Sequence, residues 1–576
     1  MKRCPECRRD YYDDTLSFCL DDGTALLEGP ALIDEPATAV FSAPPSGGLR
    51  ADERTQQFTG DVGRTQPLEG TSQSVTTARA PRTLDKRLLV APVILAFIVI
   101  GGFVGYRYLN DAGSDQIRSI AVLPFENRSS DADSEYLSDG LAESLIYRLS
   151  QIPELKVSPR SSVFRYKGQN ADAEKVGGEL GVDAVMTGRL VQRGDNLTIS
   201  VDLVDVRNKK TLWGEQFERK MSDLLATQRE IASAITEKLQ LKLTGGDSKG
   251  ITKQYTNSNE AYQLYLKGRY YWNKRTAENI QKSIELLTQA TEKDPNFALA
   301  YAGLSDCYVV LSTYSGEPAA DSMPQSRAYA NKSIELDPTL AEPHAALGLV
   351  NWALDWNKEE AQREFSRSIE LDPNYPTAHH WYSRFLRAIG RHEEGLREIQ
   401  RAEELDPLSL IMINNVAEAH IGLGDLDAAD NACQRMLELD ANFWAAYQTL
   451  VWLRVKQGRL DEALVSAQKG IELSNRTNAA LGQIGHVYGR LGRKDEAAAV
   501  VRELEQMFTN KRADGKDLAV VYAGLGEKDK AFEWLDKAYE YHSFHLTTLN
   551  IEPLLEPLHD DPRWKDLKKR IGLPTD

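Results

Sequence analysis

Three of the five cysteines of the chain lie within its first 19 residues, at a spacing suited to metal binding. Cys4 and Cys7 form a Cys-x-x-Cys pair, and Cys19 is followed three residues later by Asp22. Two thiolates at this spacing reach one tetrahedral metal ion, and a carboxylate oxygen can complete the set. Residues 1–28 are too few to form a stable hydrophobic core without a bound metal ion. We therefore expect Cys4, Cys7, Cys19 and Asp22 to form a closed structural zinc site.

This segment resembles the small zinc ribbons at the N-termini of many bacterial membrane proteins. It departs from them at Asp22, where a fourth thiolate would fall, and this leaves a metal-free knuckle as an alternative. A redox pair at Cys4 and Cys7 is a second alternative, although no βαβ pattern surrounds it. A structural role is favoured over a catalytic one.

Residues 29–85 are rich in Pro, Gly, Ser, Thr and Gln, with few large apolar side chains. Such a composition cannot bury enough surface to fold, so it predicts a disordered linker. Threonines beside arginine in a flexible chain are accessible to kinases, and Arg64-Thr65-Gln66 repeats Arg54-Thr55-Gln56. The candidate phosphosites are Thr38, Thr55 and Thr65, and the alternative is coincidence in a Thr-rich linker.

An uncharged run, Leu88–Tyr106, predicts a transmembrane helix within residues 86–109. A buried core helix is the alternative. The preceding Lys86 and Arg87 add to a positive excess on the N-terminal side, so we expect that side to be cytoplasmic and the larger C-terminal part extracytoplasmic. The resemblance of the N-terminal segment to bacterial membrane proteins implies that this membrane is a bacterial inner membrane. Gly101 and Gly105 form a small-xxx-small pair that would allow a homodimer of helices.

The chain has 576 residues, too many for one domain, and its net charge is −16. That charge argues against a nucleic-acid-binding protein with a basic surface. The few, scattered cysteines exclude a disulfide scaffold.

Residues 114–244 show mixed periodicity that predicts a small α/β domain of order βαβαβββα. Its strands are expected at 119–125, 155–158, 184–191, 197–205 and 212–219, and its helices at 137–152, 172–180 and 224–243.

The motifs of this domain are Ile120–Asn127, Tyr136–Leu141, Gly188-Arg189-Leu190 and Leu212–Glu215. They resemble those of the TolB amino-terminal-like domain, which is related to FlgO-type envelope domains. The resemblance implies a non-catalytic interaction or sensing module and supplies no active site.

Residues 257–542 repeat with a period that settles at 34 residues, and most units end in Asp-Pro. Paired helices of this period are the tetratricopeptide signature, and the resemblance to that family covers about half of the chain. We predict seven repeats and a degenerate eighth, a loop insertion at Ser315–Met323, and a capping segment at residues 543–576. Small residues mark the helix contacts within repeats at Ala361, Gly395, Ala429, Ala463, Ala497 and Ala531.

The repeat family's geometry implies a superhelix whose first helices line a concave groove. Cationic and amide side chains there would hold a peptide carboxylate or an acidic segment, and a generally solvated inner face is the alternative. The repeat register places the following residues in the groove: His380, Arg384, Arg387, Asn414, Glu418, Gln448, Trp452, Lys456, His486 and Arg490.

These features together predict a multidomain, single-pass membrane protein with an α-solenoid, a small α/β domain and a zinc-ribbon-like knuckle. We expect it to bind protein or peptide partners without enzymatic activity, as an envelope scaffold or sensor. The domain order also resembles the sensor half of bacterial membrane serine/threonine kinases and adenylate cyclases, but no Gly-rich nucleotide loop, His-Arg-Asp loop or Asp-Phe-Gly is present. A non-catalytic receptor or adaptor is therefore the alternative, and an enzyme with an unrecognised site is a third reading.

Overall fold

The computed structural model of the chain describes residues 117–129, 134–152, 154–169, 172–239, 253–315 and 319–575, and the backbone of the pairs 2–3, 10–11 and 27–28. All of these residues belong to one compact unit, which comprises residues 1–29 and 116–576. The predicted zinc site, the three linker threonines and the predicted transmembrane helix lie outside the described residues. Within the described ranges, no helix is long and apolar enough to cross a membrane.

A short antiparallel sheet joins the two ends of the N-terminal segment. Strand β1 (Lys2–Arg3) pairs with β2 (Asp10–Tyr11) on one side and with β3 (Leu27–Glu28) on the other. Lys2 therefore lies opposite Tyr11 on one side and Glu28 on the other.

The α/β domain is built on a mixed sheet of order β6-β4-β7-β8-β9, and β5 also pairs with β7. Strand β4 is parallel to β6 and β7, whereas β7, β8 and β9 form an antiparallel meander. Alternate residues of β8 are buried, as expected for a sheet with one face on a core. The strands are β4 (Ser119–Val122), β5 (Glu126–Asn127), β6 (Lys156–Val157), β7 (Ala184–Arg193), β8 (Asn196–Asp205) and β9 (Lys210–Lys220).

Within residues 117–239, as far as the structure describes them, four helices complete this domain, and the first and last of them pack on the sheet and on each other. Helix α3 begins at the N-cap Asp172, whose side chain accepts two backbone N–H groups, and ends at Gly181 in the left-handed region. The helices are α1 (Glu135–Ser150), α2 (Arg160–Phe164), α3 (Ala173–Leu180) and α4 (Leu224–Lys238). The prediction of a small α/β domain is confirmed; it lacked only β5 and α2.

Among the residues that the structure describes, eight helix pairs follow and form the solenoid, each helix packing on its neighbours in sequence. The first four pairs are α5 (Asn259–Trp272) with α6 (Ala277–Lys293), α7 (Ala298–Ser315) with α8 (Ala319–Leu336), α9 (Glu342–Ala353) with α10 (Lys358–Leu371), and α11 (Pro376–Ala388) with α12 (His392–Leu405). The last four pairs are α13 (Leu410–Leu423) with α14 (Leu426–Leu439), α15 (Trp444–Lys456) with α16 (Leu460–Leu473), α17 (Asn478–Arg490) with α18 (Lys494–Thr509), and α19 (Gly515–Leu525) with α20 (Lys528–Glu540).

The predicted small residues lie where the helices of a pair touch. All six are buried, and a Cβ added to Gly395 would lie 2.9 Å from the carbonyl oxygen of Ser383 on the paired helix. Close approach of the two backbones is thus the reason for small side chains in this register.

Two expectations about the solenoid need correction. The extra residues of the second repeat do not form a loop over Ser315–Met323, because α7 extends to Ser315 and α8 begins at Ala319, so they mostly lengthen two helices. The C-terminal segment is more than a cap. Its two 3₁₀ helices, Phe544–Ile551 and Pro553–Leu558, pack against first helices of earlier repeats before α21 (Pro562–Arg570) closes the chain.

Candidate functional site

A cavity of about 980 Å³ lies between the α/β domain and the first repeats. Helix α1 and the segment leading into α2 form one side, and helices α5, α7, α9 and α11 contribute residues to the other. A volume of this size falls in the range of small-molecule sites, which often lie between domains. The cavity is therefore the strongest candidate for a binding site in the part of the chain that the structure describes.

Tyrosines form much of the cavity wall. Tyr262 and Tyr265 are three residues apart on α5, which places them on one face of that helix with ring centroids 6.4 Å apart. The ring centroids of Tyr147 on α1 and Tyr255 lie 6.0 Å apart. Tyr375 directly precedes Pro376, the first residue of α11. Burial raises the pKa of Tyr262 and of Tyr255 to about 12, so these hydroxyls stay neutral.

An arginine of α5 links the two sides of the cavity. Arg269 Nε lies 3.4 Å from Glu143 Oε1 on α1, and its Nη1 lies 3.3 Å from Asp306 Oδ2 on α7. Asn273, the C-cap residue directly after α5, donates a hydrogen bond of 2.8 Å to the other oxygen of Glu143. Burial alone would lower the pKa of Arg269, but the two carboxylates raise it, so the guanidinium stays charged.

Two carboxyl groups in the cavity each keep one buried oxygen without a hydrogen-bond partner among the described residues: Asp306 Oδ1 and Glu342 Oε2. Burial raises the pKa of Asp306 to about 6 despite Arg269 and Arg275 nearby. Burial also raises the pKa of Glu342 to about 7, although hydrogen bonds from its own backbone and from Tyr147 favour the charged form. Unpartnered buried oxygens are rare in folded proteins and mark a place where a ligand or water would bind.

Each of the first four repeats ends in an aspartate, and the side chains of these aspartates contact residues that precede the solenoid in the chain. In Asp294, Asp337 and Asp372, one carboxylate oxygen accepts a backbone N–H two residues further on and so turns the chain. The second carboxylate oxygen of each aspartate contacts a residue that comes before the solenoid in sequence. Thr256 bonds to Asp294, Lys253 Nζ lies 2.5 Å from Asp337, and Gln151 Nε2 lies 3.2 Å from Asp372.

The row continues to Asp406, where α2 reaches the solenoid. Ser161 and Ser162 both donate hydrogen bonds to this carboxylate, the second at 3.2 Å. The sequence indicates the Asp-Pro residues only as helix ends. It gives no sign that the same side chains hold the α/β domain in place.

The ten predicted groove residues divide by exposure. His380, Arg387, Asn414 and His486 are buried, which corrects the expectation that they face an open groove. Arg384, Glu418, Gln448 and Trp452 are half-buried, and Lys456 and Arg490 are exposed.

Two kinds of contact cover part of this inner face. Inner side chains pair with each other: Arg387 donates to Asn415 at 3.0 Å, and Asn414 donates to Glu418 at 2.9 Å. The C-terminal segment also occupies part of the inner face, where Asn550 donates a 2.7 Å hydrogen bond to the carbonyl of Ala388.

The structure thus brings together a site that no motif or spacing in the sequence indicates. Its chemistry lies in Tyr147, Tyr265, Asp306, Glu342 and Tyr375. One available signal was the aromatic content of the first repeat helix, Tyr262–Trp272, which carries four tyrosines and a tryptophan in eleven residues. Among the residues that the structure describes, no group of three or more His, Cys, Asp or Glu side chains is arranged to hold a metal ion.

Comparison with known families gives two matches. A family model described as "HilA/YgeH-like transcriptional regulator, second domain" matches residues 115–234, which correspond to the α/β domain. A tetratricopeptide-repeat model matches residues 479–507, which correspond to α17 and most of α18. The resemblance to TolB-like domains stays a prediction, because neither match tests it.

Two curated relatives share part of this chain. A putative adenylate cyclase 3 of Rhizobium meliloti is 32% identical over 249 residues, which are 43% of this chain and 42% of the cyclase. The transcriptional regulator HilA of Salmonella typhimurium is 25% identical over 240 residues, which are 40% of this chain and 41% of HilA. The chain thus spans about two fifths of each of these relatives.

Among solved structures, PilF of Pseudomonas aeruginosa aligns with a TM-score of 0.29 and 19% identity, over 36% of this chain and 94% of PilF. The helix pairs, their small contact residues and the repeat match at residues 479–507 agree with one another. The chain is a tetratricopeptide-repeat protein whose helical solenoid follows a small α/β domain.

Proposed function

We propose that this chain is a non-enzymatic recognition protein that binds a protein or peptide partner through the inner face of its solenoid. One observation carries the proposal: two large apolar residues, Ile411 and Trp444, are 44% and 39% exposed at the starts of the first helices α13 and α15. Trp444 lies four residues before Gln448 and therefore on the same helix stripe as the predicted groove residues of α15. Ile411 lies three residues before Asn414 on α13, one position later in the 34-residue register than Trp444, and it also lines the edge of the cavity.

The solenoid already recognises polypeptide within this molecule. Its repeat ends hold the α/β domain through Asp372 and Asp406, and its inner face holds the C-terminal segment through Ala388. A partner would use the inner surface that these two segments leave uncovered. The exposed cation Arg490 at the end of α17 would favour an acidic partner, whereas Lys456 at the end of α15 already pairs with Glu556 of the C-terminal segment.

A second function is supported by the comparisons. Related stretches occur in a protein named as an adenylate cyclase and in a transcriptional regulator, which differ in output. We propose as an alternative that the α/β domain and repeats form the input module of a signalling receptor or adaptor. In that case the N-terminal knuckle, with zinc at Cys4, Cys7, Cys19 and Asp22, would contact a cytoplasmic regulator, and Thr38, Thr55 and Thr65 would be phosphorylated.

Site-specific photocrosslinking in cells tests the leading proposal. A benzoylphenylalanine residue replaces Trp444 on the first helix of the sixth repeat, and a matched control replaces Val465, which is 66% exposed on the second helix of the same repeat. We expect a discrete protein adduct at position 444 that is absent at position 465 and is lost when Ile411→Asp is added. Equal adducts at both positions, or none at position 444, would contradict the proposal.

Phosphopeptide mapping separates the alternative from the leading function. Phosphate on Thr55 or Thr65 in growing cells would support a signalling role. Unmodified threonines in cells with active kinases would count against it.

A further inference from the structure

The turn between the two helices of a repeat contains a residue in the left-handed region of backbone space. In the fourth to eighth repeats this residue is a glycine with φ between 73° and 85°: Gly390, Gly424, Gly458, Gly492 and Gly526. In the third repeat the same position of the 34-residue register is Trp356, with a φ of 53°. A bulky residue is strained in this region, so the tryptophan needs a contact that offsets the strain.

The eighth repeat supplies that contact. The ring of Trp356 stacks on His542, with centroids 4.1 Å apart and planes at 10°, and its centroid lies 5.2 Å from that of Tyr539 on α20. His542 also has a φ of 53°, and its Nε2–H donates a 2.6 Å hydrogen bond to the carbonyl of Leu354, just after α9. Two residues in strained conformations thus join the third repeat to the eighth. We call the stacked pair Trp356 and His542 the closure contact.

The C-terminal segment enters the inner face of the solenoid directly after the closure contact. Its residues Phe544–Ile551 pack against the first helices α9 and α11, and Pro553–Leu558 pack against the first helices α15 and α19. At the C-terminal end of α15, Lys456 Nζ lies 2.5 Å from Glu556 Oε1. The segment therefore covers one end of α15, while the other end carries the exposed Trp444.

The far end of the C-terminal segment returns to the same turn of the third repeat. A Cβ built on Gly572, which follows α21, would lie 3.2 Å from the carbonyl oxygen of Trp356. Arg570, the last residue of α21, lies over the ring of Tyr539 at 4.0 Å from its centroid. Residues before and after the part of the chain that lies on the inner face are therefore both held at the turn of Trp356.

We propose that the closure contact is an autoinhibitory device. While Trp356 stacks on His542, the C-terminal segment stays on the inner face and restricts the surface that is open to a partner. Loss of the stack frees the segment from the third repeat and uncovers the Lys456 end of α15, so the segment and the partner compete for one surface. The inference concerns the regulation of the site in the proposed function and rests on that function for its partner.

Amide hydrogen exchange of the full-length chain tests the closure contact without a partner. Trp356→Gly removes the ring and relieves the backbone strain, and we expect the amides of residues 544–558 to exchange about tenfold faster than in the unaltered chain. Amides of β8 in the α/β domain are the internal reference and should not change. Lys511→Gly is the matched control, because Lys511 is exposed in the turn after α18 with a φ of 55°. It relieves the same kind of strain without loss of an aromatic stack, so exchange at 544–558 should stay as it is.

His542→Asn removes the ring on the other side of the stack. Asparagine tolerates the left-handed region, so this variant keeps the turn and should also speed exchange at residues 544–558. It replaces Trp356→Gly if that variant does not fold. Trp356→Phe keeps an aromatic ring at the closure contact and should retain most of the protection.

Benzoylphenylalanine at position 444 then reports on the partner. We expect about threefold more adduct in Trp356→Gly than in the unaltered chain, and no change in Lys511→Gly. Unchanged exchange at 544–558 in both Trp356→Gly and His542→Asn would overturn the closure contact, and faster exchange without more adduct would overturn its effect on the partner. Absence of adduct in every chain contradicts the proposed function instead. Because hydrogen exchange needs no partner, the two failures are distinguishable.

Discussion

The hydroxyl of Ser162 donates a hydrogen bond to Asp406 Oδ1 over 3.2 Å, which joins the α/β domain to the end of the fourth repeat. Ser161 bonds to the same carboxylate, so two neighbouring hydroxyls meet one aspartate. Asp406 is buried at this contact. The next aspartate of the series, Asp440, is exposed, and its carboxylate accepts the backbone N–H of Asn442 at 2.8 Å.

Asp406→Ala is therefore expected to destabilise the chain by about 1–3 kcal/mol, because it leaves two hydroxyls without their acceptor at a buried contact. Asp440→Ala removes a similar side chain at the next repeat end and should cost less than about 1 kcal/mol. Denaturant unfolding of the full-length variants provides the comparison. Equal losses at the two positions would show that Asp406 acts only as a helix end.

The same carboxyl group makes stability depend on pH. Burial raises the pKa of Asp406 to about 6, although Ser161 and Ser162 lower it, whereas an unfolded aspartate titrates near about 3.9. Between these values the folded chain binds more protons than the unfolded chain. Its free energy of unfolding should therefore fall as the pH rises from about 4 to 6, by at most about 3 kcal/mol from this group.

Asp406→Asn removes this titration while keeping a side chain that can bond to both serines. The pH dependence of unfolding between pH 4.5 and 7.5 should be smaller in the variant than in the unaltered chain. Asp306 and Glu342 also make the free energy of unfolding fall as the pH rises, because burial raises both of their pKa values. Both residues are present in the variant and in the unaltered chain, so their effect cancels in the comparison. If the free energy of unfolding changes by the same amount between pH 4.5 and 7.5 in both proteins, Asp406 is already ionised at pH 4.5 in the folded chain.

Most of the secondary structure could be predicted, because each element depends on its own residues. The period of 34 residues and the small residue at Ala429 or Ala463 place each helix pair, and both residues are fully buried in the structure. The alternation along Leu197–Leu203 places β8 on the core. These patterns depend on residues close in sequence, so they predict an element without knowledge of the element that packs against it.

The cavity could not be predicted, because its residues meet only through the docking of two domains. Tyr147 and Tyr375 are more than 200 positions apart in sequence, and Glu342 is an ordinary first-turn glutamate by pattern. The open groove was expected for a related reason. Repeat register identifies the inner face of a solenoid but does not show that Phe544–Ile551 packs there.

Gly188 of β7 is expected to tolerate no larger side chain. A Cβ at this position would lie 2.6 Å from the ring of Phe125, which is itself buried. Gly188→Ala should therefore destabilise the chain by about 1–3 kcal/mol through overpacking. Phe125 belongs to the motif Ile120–Asn127 and Gly188 to the motif Gly188-Arg189-Leu190. Their contact gives a physical reason why a glycine accompanies this phenylalanine.

Gly178 of α3 provides the control for this change. A Cβ there meets no atom within 4 Å, and the residue lies inside a helix. Gly178→Ala should stabilise the chain by about 0.5–1 kcal/mol, since alanine favours helix over glycine. Thermal unfolding of the two variants should thus shift in opposite directions. A loss of stability in both would point to glycine requirements unrelated to the Phe125 contact.

The orientation predicted from Leu88–Tyr106 is open to a direct test. The positive residues before this run predict that the N-terminal segment is cytoplasmic and that the α/β domain and repeats are outside. Protease added to spheroplasts that carry tags at both ends should then digest the C-terminal tag and leave the N-terminal tag intact. Protection of both tags, with digestion only after lysis, would place the solenoid inside the cell, where the crosslinked partner of Trp444 should then be sought.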